Sequence, residues 1–177
     1  MNKLLPLAAG AFALTLSWAP CAFADGFDEE DTVTGDEFAP DQVDPDPRKL
    51  SQADAFSRVH SAGISVVSSG GCSDRSKSNC TSLDQINEST IDGIITLKKA
   101  SGCAITITGG TEVGHASGTY SHYNGYKVDI SITTCDSNYI TKNFTYQGKR
   151  SDGAPLYKSA AGNLYANEGS HWDITYF

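Results

Sequence analysis

Charge divides this chain in two. Residues 25–50 hold ten acidic side chains and only two basic ones, Arg48 and Lys49. Residues 51–177 hold eleven acids and ten bases, so the net charge of −8 belongs almost entirely to the acidic stretch. That stretch also contains Pro40, Pro45 and Pro47 and few large apolar residues. Such a segment cannot bury enough surface to offset its ordering entropy, so folding is confined to residues 51–177. The folding part is one domain's worth of chain, nearly neutral, with no basic stripe to suit nucleic acid.

The first 24 residues have a different character. Met1-Asn2-Lys3 is a short positive start, Leu4 to Leu16 is almost continuously apolar, and Ala22-Phe23-Ala24 has small residues at alternate positions. This pattern predicts a signal peptide over 1–24 and an acidic leader over 25–50, either a linker or a propeptide that could be cut near Arg48-Lys49. The apolar run is too short to span a bilayer. The expectation is an exported protein, extracellular or periplasmic, with no membrane partner once the signal is removed. Export removes Cys21 and leaves Cys72, Cys80, Cys103 and Cys135. An even number in an exported chain predicts two disulfides. Of the three pairings, Cys72–Cys80 with Cys103–Cys135 is favoured: the first closes a short loop, and the second would staple two strand-like runs.

Ser51 can cap a helix with Ala53, Phe56 and Val59 on one face, ending at Ala62-Gly63. Ile64 to Ser68 reads as a strand and Gly70 to Cys80 as a polar loop. A second helix is expected from about Ser82 to Lys99, closed by Ser101-Gly102. Cys103 to Thr108 and Tyr126 to Thr133 alternate like strands. On the latter, Val128, Ile130 and Ile132 share one face and Asp129 lies on the other. Further strands are expected at Asn138 to Tyr146 and Trp172 to Phe177, and a loop at Gly148 to Pro155. Helices first and strands after predict an α+β domain, a small and mostly antiparallel sheet with N-terminal helices packed on it, stapled by disulfides.

Two stretches carry chemistry. Ser121-x-His122-x-x-Gly125-x-x-x-Asp129 is answered downstream by Glu168-x-x-His171. A catalytic zinc takes three protein ligands from His and carboxylate and keeps one position open. His122 at a strand entrance, Asp129 on that strand and His171 at the head of the last strand form such a set. Glu168 is then a carboxylate beside the ion, able to act as a base on activated water.

Together the two halves resemble the zinc D-alanyl-D-alanine carboxypeptidases and dipeptidases, a family that includes peptidoglycan endopeptidases and shares its fold with the Hedgehog signalling domain. The resemblance implies Zn2+ held by His122, Asp129 and His171, Glu168 as catalytic base, and a peptidoglycan-type peptide as substrate for a monomeric secreted enzyme. Its lead-in strand, Ala104 to Gly110, fits as well. Where the family places Tyr-Arg after that strand, this chain has Thr111-Glu112, so the arginine that steadies the charged intermediate is missing. His115 and Lys127 are candidates to replace it, and Glu112 could orient His115 or bind a substrate amine. Ser170 stands before His171 where the family has Trp, and Trp172 follows. Asp173 could hydrogen-bond a ligand histidine, while Ser121 and Trp172 are candidates to line the site. Two rival readings are a zinc-fold protein that binds extracellular ligands without turnover, and a metal-free disulfide-stapled interaction protein.

Overall fold

The structure, a computed structural model, describes residues 46–177; the expected signal peptide and the acidic leader up to residue 45 lie outside the described residues. The chain runs β1 (Lys49–Leu50), α1 (Gln52–Ser61), β2 (Ser65–Val66), β3 (Ile86–Asn87), α2 (Glu88–Ser101), β4 (Thr106–Gly109), β5 (Lys127–Ser131), α3 (Thr134–Asn143), β6 (Thr145–Lys149), β7 (Pro155–Lys158), β8 (Leu164–Asn167) and β9 (His171–Thr175). Seven strands form one sheet in the order β2-β4-β5-β9-β8-β7-β6. Only β2 and β4 run parallel; every other pair in that sheet is antiparallel. β1 and β3 make a small antiparallel pair of their own. The architecture is thus the expected α+β one. Among the described residues no helix is long and apolar enough to cross a membrane.

The helices follow their caps. Ser51 accepts from the Asp54 backbone N–H and starts α1. Its buried residues are Ala55 and Val59. Ala53 and Phe56, expected on that face with Val59, are exposed. α2 begins six residues later than expected. Gln85 takes a left-handed φ of 62° that no helix tolerates, and Ile86–Asn87 pairs with β1 instead. Thr90, Ile91, Ile94 and Leu97 make its buried face. The expected strand at Asn138 is a helix: Thr133 and Asp136 form a reciprocal capping box that nucleates α3. Strand structure resumes only at Thr145.

Both disulfides have the favoured pairing, Cys72–Cys80 and Cys103–Cys135. The second does not staple two strands. Cys103 follows α2 and Cys135 lies in the first turn of α3, so it ties one helix exit to another helix entrance.

β5 and β9 lie side by side in the sheet and position the site. Their register pairs Val128 with Ile174 and Ile130 with Trp172 on one face, and Lys127 with Thr175, Asp129 with Asp173 and Ser131 with His171 on the other. The first face joins the core with Ile91, Ile94, Ile107 and Tyr165. The second is left for polar chemistry.

Candidate metal centre

Asp129 sits at the middle of a converging set of imidazoles. His122 Nε2 lies 3.3 Å and His171 Nε2 3.5 Å from its Oδ1, and His115 Nδ1 lies 3.7 Å from its Oδ2. Backbone geometry explains each approach. β4 passes so close that a Cβ on Gly109 would stand 2.4 Å from Asp129 Oδ2, so only glycine leaves room for the carboxylate. A turn closed by Gly125 N–H on the His122 carbonyl at 2.8 Å brings His122 back over the strand it precedes. His171 opens β9, in register with Ser131.

Each histidine is held at its other ring nitrogen. His122 Nδ1 donates to the Gly110 carbonyl at 2.8 Å. His115 Nε2 lies 3.0 Å from Glu112 Oε1, and His171 Nδ1 lies 2.8 Å from Ser170 Oγ. Metal-binding histidines are ordinarily fixed in this way, the outer nitrogen tethered and the inner one aimed at the ion.

Charge and satisfaction favour a cation. Asp129 and Asp173 are directly opposed across β5 and β9, where like charges repel. Both are buried, and among the described residues Oδ1 of each has no hydrogen-bond partner. Asp173 is compensated by Lys127 Nζ at 2.8 Å and Arg150 Nη1 at 2.7 Å. Its carboxyl is driven up by burial, but His122 and Lys127 outweigh that and hold it far below the usual carboxylate range. Among the described residues the ion-pair partners of Asp129 are imidazoles, those of His115, His122 and His171. Two ligand atoms, each about 2.0–2.2 Å from a tetrahedral zinc, stand about 3.3–3.6 Å apart. The separations of His122 and His171 from Asp129 Oδ1 match that spacing. A His and Asp group of His115, His122 and Asp129, with ligand atoms all within 4.8 Å of one another, could hold a metal ion. His171, although its Nε2 is 3.5 Å from Asp129 Oδ1, is not part of that mutually close group.

The remaining expected residues fall into distinct places. Glu168 Oε2 is 3.2 Å from His171 Nε2. Glu112 is buried, accepts from the Ser82 and Gly110 backbone N–H groups, and orients His115. Burial pushes its carboxyl up, yet the bonds from His115, Ser82 and Gly110 prevail and hold it below its ordinary value. Lys127, a candidate to replace the family arginine, pairs with Asp173 Oδ2 at 2.8 Å. Ser121 Oγ accepts from Asn124 N–H and shapes the turn. Trp172 is not at the site: it is fully buried on the core face, packs on Tyr157 and donates to Ser137 Oγ. Its place on β9 is one residue out of phase with His171 and Asp173, so the pleat sends it inward.

One residue at the site was missed by sequence reasoning. Arg150, in the turn just after β6, bonds Asp173, Asp152 and a Glu168 oxygen. It brings a guanidinium beside Glu168 although the position after β4 holds Thr111-Glu112. Nothing in the local sequence marks it, since Lys149-Arg150-Ser151-Asp152-Gly153 reads as an ordinary turn. No protein-family model matches this chain, and no curated protein or solved structure matches it either.

Proposed function

We propose that this chain is a secreted zinc-dependent peptidase that hydrolyses amide bonds in peptidoglycan-type peptides. The observation that carries the reading is Asp129 Oδ1, a buried oxygen without a hydrogen-bond partner, set between the Nε2 atoms of His122 and His171. The reaction and substrate rest on the resemblance of the two motifs to the zinc D-alanyl-D-alanine peptidases. The two disulfides are in keeping with an oxidising compartment.

In this reading His122, Asp129 and His171 hold the zinc, which when bound supplies a Lewis acid that polarises the scissile carbonyl and acidifies water. Glu168 takes the proton from the attacking water and returns it to the leaving amine. Arg150 grips Oε1 of Glu168, which leaves Oε2, the oxygen next to His171, for the proton. Arg150 is itself steadied by Asp152 and Asp173, so the base is held in a fixed orientation. The substrate is a peptide, with no role for nucleic acid and with the monomer as the working unit.

Glu168→Gln keeps the shape and removes the basicity. The variant should still bind one equivalent of zinc and should release amines from purified peptidoglycan peptides about 10²- to 10⁴-fold more slowly than wild type. Wild-type rates in that variant would sink the mechanism. The same Arg150–Glu168 ion pair supports a second reading, a zinc-holding binding protein whose carboxylate is neutralised rather than poised. One equivalent of zinc with no amine released by wild type would favour it.

A further inference from the structure

Arg48-Lys49 reads in the sequence as a place to cut the leader away, but the fold gives the pair another task. The Arg48 carbonyl accepts the Glu88 N–H at 2.8 Å, and the Leu50 carbonyl accepts the Gln85 N–H at 2.9 Å. Lys49 and Leu50 form β1, in register with Asn87 and Ile86 of β3. Leu50 is 4 % exposed and packs in the core with Ile86 and Ile91. Lys49 Nζ donates to Asn87 Oδ1 and to the Asn124 carbonyl, and lies 5.7 Å from the centroid of the Tyr126 ring. These contacts converge on the turn that carries His122. The Gly125 N–H closes that turn on the His122 carbonyl at 2.8 Å, while the Gly125 carbonyl takes the Asn87 N–H at 3.1 Å and the Thr90 hydroxyl at 2.7 Å. The approach is close: a Cβ on Gly125, whose φ is +81°, would stand 2.7 Å from the Gln85 carbonyl oxygen and 2.9 Å from Asn87 N. β3 therefore presses on the turn, and Lys49 reaches past β3 to bond it directly. β1 and β3 are two residues each, and a two-stranded ribbon is marginal by itself. Leu50 in the core and Lys49 on the Asn124 carbonyl are what anchor it.

We infer that Arg48-Lys49 is a clasp rather than a processing site: β1 belongs to the working protein and fastens the turn that carries His122, and a cut that releases the leader falls ahead of Arg48. The clasp needs no metal; its effect on zinc rests on the reading that His122 binds the ion. Hydrolysis of the Lys49–Leu50 bond would add one water, leaving a carboxylate on Lys49 and an ammonium on Leu50. The new charge would sit at a residue held in the core, where an unpaired charge is costly. Lys49 would leave with the leader, and the turn would lose its bond at Asn124. A protease also needs the backbone around the bond free, and here it is hydrogen-bonded at both Arg48 and Leu50.

The test uses the chain with its acidic leader and both disulfides intact. A protease specific for basic residues should cut after Arg48 and Lys49 at least about a hundredfold more slowly in the native protein than in urea, read by mass spectrometry of the amino-terminal fragment. A protease of broad specificity should trim the leader to a stable product that still begins ahead of Arg48. Lys49→Met keeps the stem and removes the donor. In the metal-free variant, amide hydrogen exchange at Asn124 and Gly125 should quicken about tenfold, and zinc should bind about 3- to 10-fold more weakly in competition with a chelator. Lys49→Arg restores a donor and should recover most of both effects. Gly93→Ala, which disturbs α2 at Tyr176, controls for a general loss of stability and should leave zinc affinity as it is. Ready cleavage after Lys49 in the native protein, to a product with the melting temperature and zinc affinity of the uncut chain, would overturn the inference. Exchange at the wild-type rate in Lys49→Met would overturn it too. A wild type that takes up no zinc, yet shows the protected bonds and the faster exchange in Lys49→Met, would sink the metal reading and leave the clasp standing.

Discussion

His122 donates from Nδ1 to the Gly110 carbonyl, so only Nε2 can answer the two carboxylates in front of it. In the metal-free chain burial pushes its pKa down, but Asp129 and Asp173 outweigh burial and lift it to about 9. A folded pKa above the ordinary value of about 6.5 means the charged imidazole stabilises the fold fully below pH 6.5. That contribution, on the order of a few kcal/mol, is lost as pH rises through about 9. Urea unfolding in the presence of chelator should therefore show the metal-free protein weaker at pH 9 than at pH 6. In the proposed metal site the ion would compete with this same proton, so zinc affinity should move the opposite way and rise by up to about tenfold per pH unit below pH 9. A flat chelator competition between pH 6 and pH 9 would show that His122 Nε2 does not face the ion. The two motifs pointed to His122, Asp129 and His171 in the sequence, and the structure brings the Nε2 atoms of both histidines to Asp129 Oδ1. Arg150 and the depth of Glu112 were not legible, because nothing in their neighbours sets them apart.

Among the elements, period and capping succeeded where the element was long or its cap was clear. α1 began at Ser51 as expected, and the alternation of β5 placed Asp129 opposite Val128 and Ile130. The misreadings share a cause: local pattern was ambiguous and distant contacts decided it. Leu83 and Ile86 are both fully buried, as a helix face would be, yet Ile86 is in a strand that exists because β1 pairs with it. β7 and β8 were not anticipated, since four-residue strands rich in Tyr, Leu and Ala carry little periodic signal. α2 offers a test of its packing. Gly93 lies against Tyr176, and a Cβ there would stand 2.1 Å from the ring. Alanine improves helix propensity by about 1 kcal/mol, but overpacking a fully buried tyrosine costs about 1–3 kcal/mol. Gly93→Ala should lose up to about 2 kcal/mol in urea unfolding, with no change in metal affinity. A gain in stability would mean α2 is not seated on Tyr176.

At the scale of the molecule, two cross-links of different reach hold the domain together. Cys72–Cys80 spans 8 residues of sequence and Cys103–Cys135 spans 32. Loop entropy gives the longer link about 3–4 kcal/mol and the shorter about 2–3 kcal/mol. Replacing Cys103 and Cys135 with Ser should therefore lower the unfolding free energy more than replacing Cys72 and Cys80, measured by chemical unfolding of each double variant. The reverse order would point to strain or residual unfolded-state structure as the controlling effect. The sequence by itself determined the α+β class and the face of β5 that carries Asp129, and it favoured the cysteine pairing, while the ordered chain begins before Ser51, with Lys49–Leu50 in β1. The class and the face follow from the order of elements and a period of two. Only the tertiary structure decided that Glu112, His115, Asp173 and Arg150 share one site. They come from the loop after β4, from β9 and from the far end of the β6–β7 hairpin, and they meet because β5 and β9 lie side by side in the sheet. Local periodicity reports the face a side chain takes, while strand order, set by long-range pairing and burial, selects its neighbours.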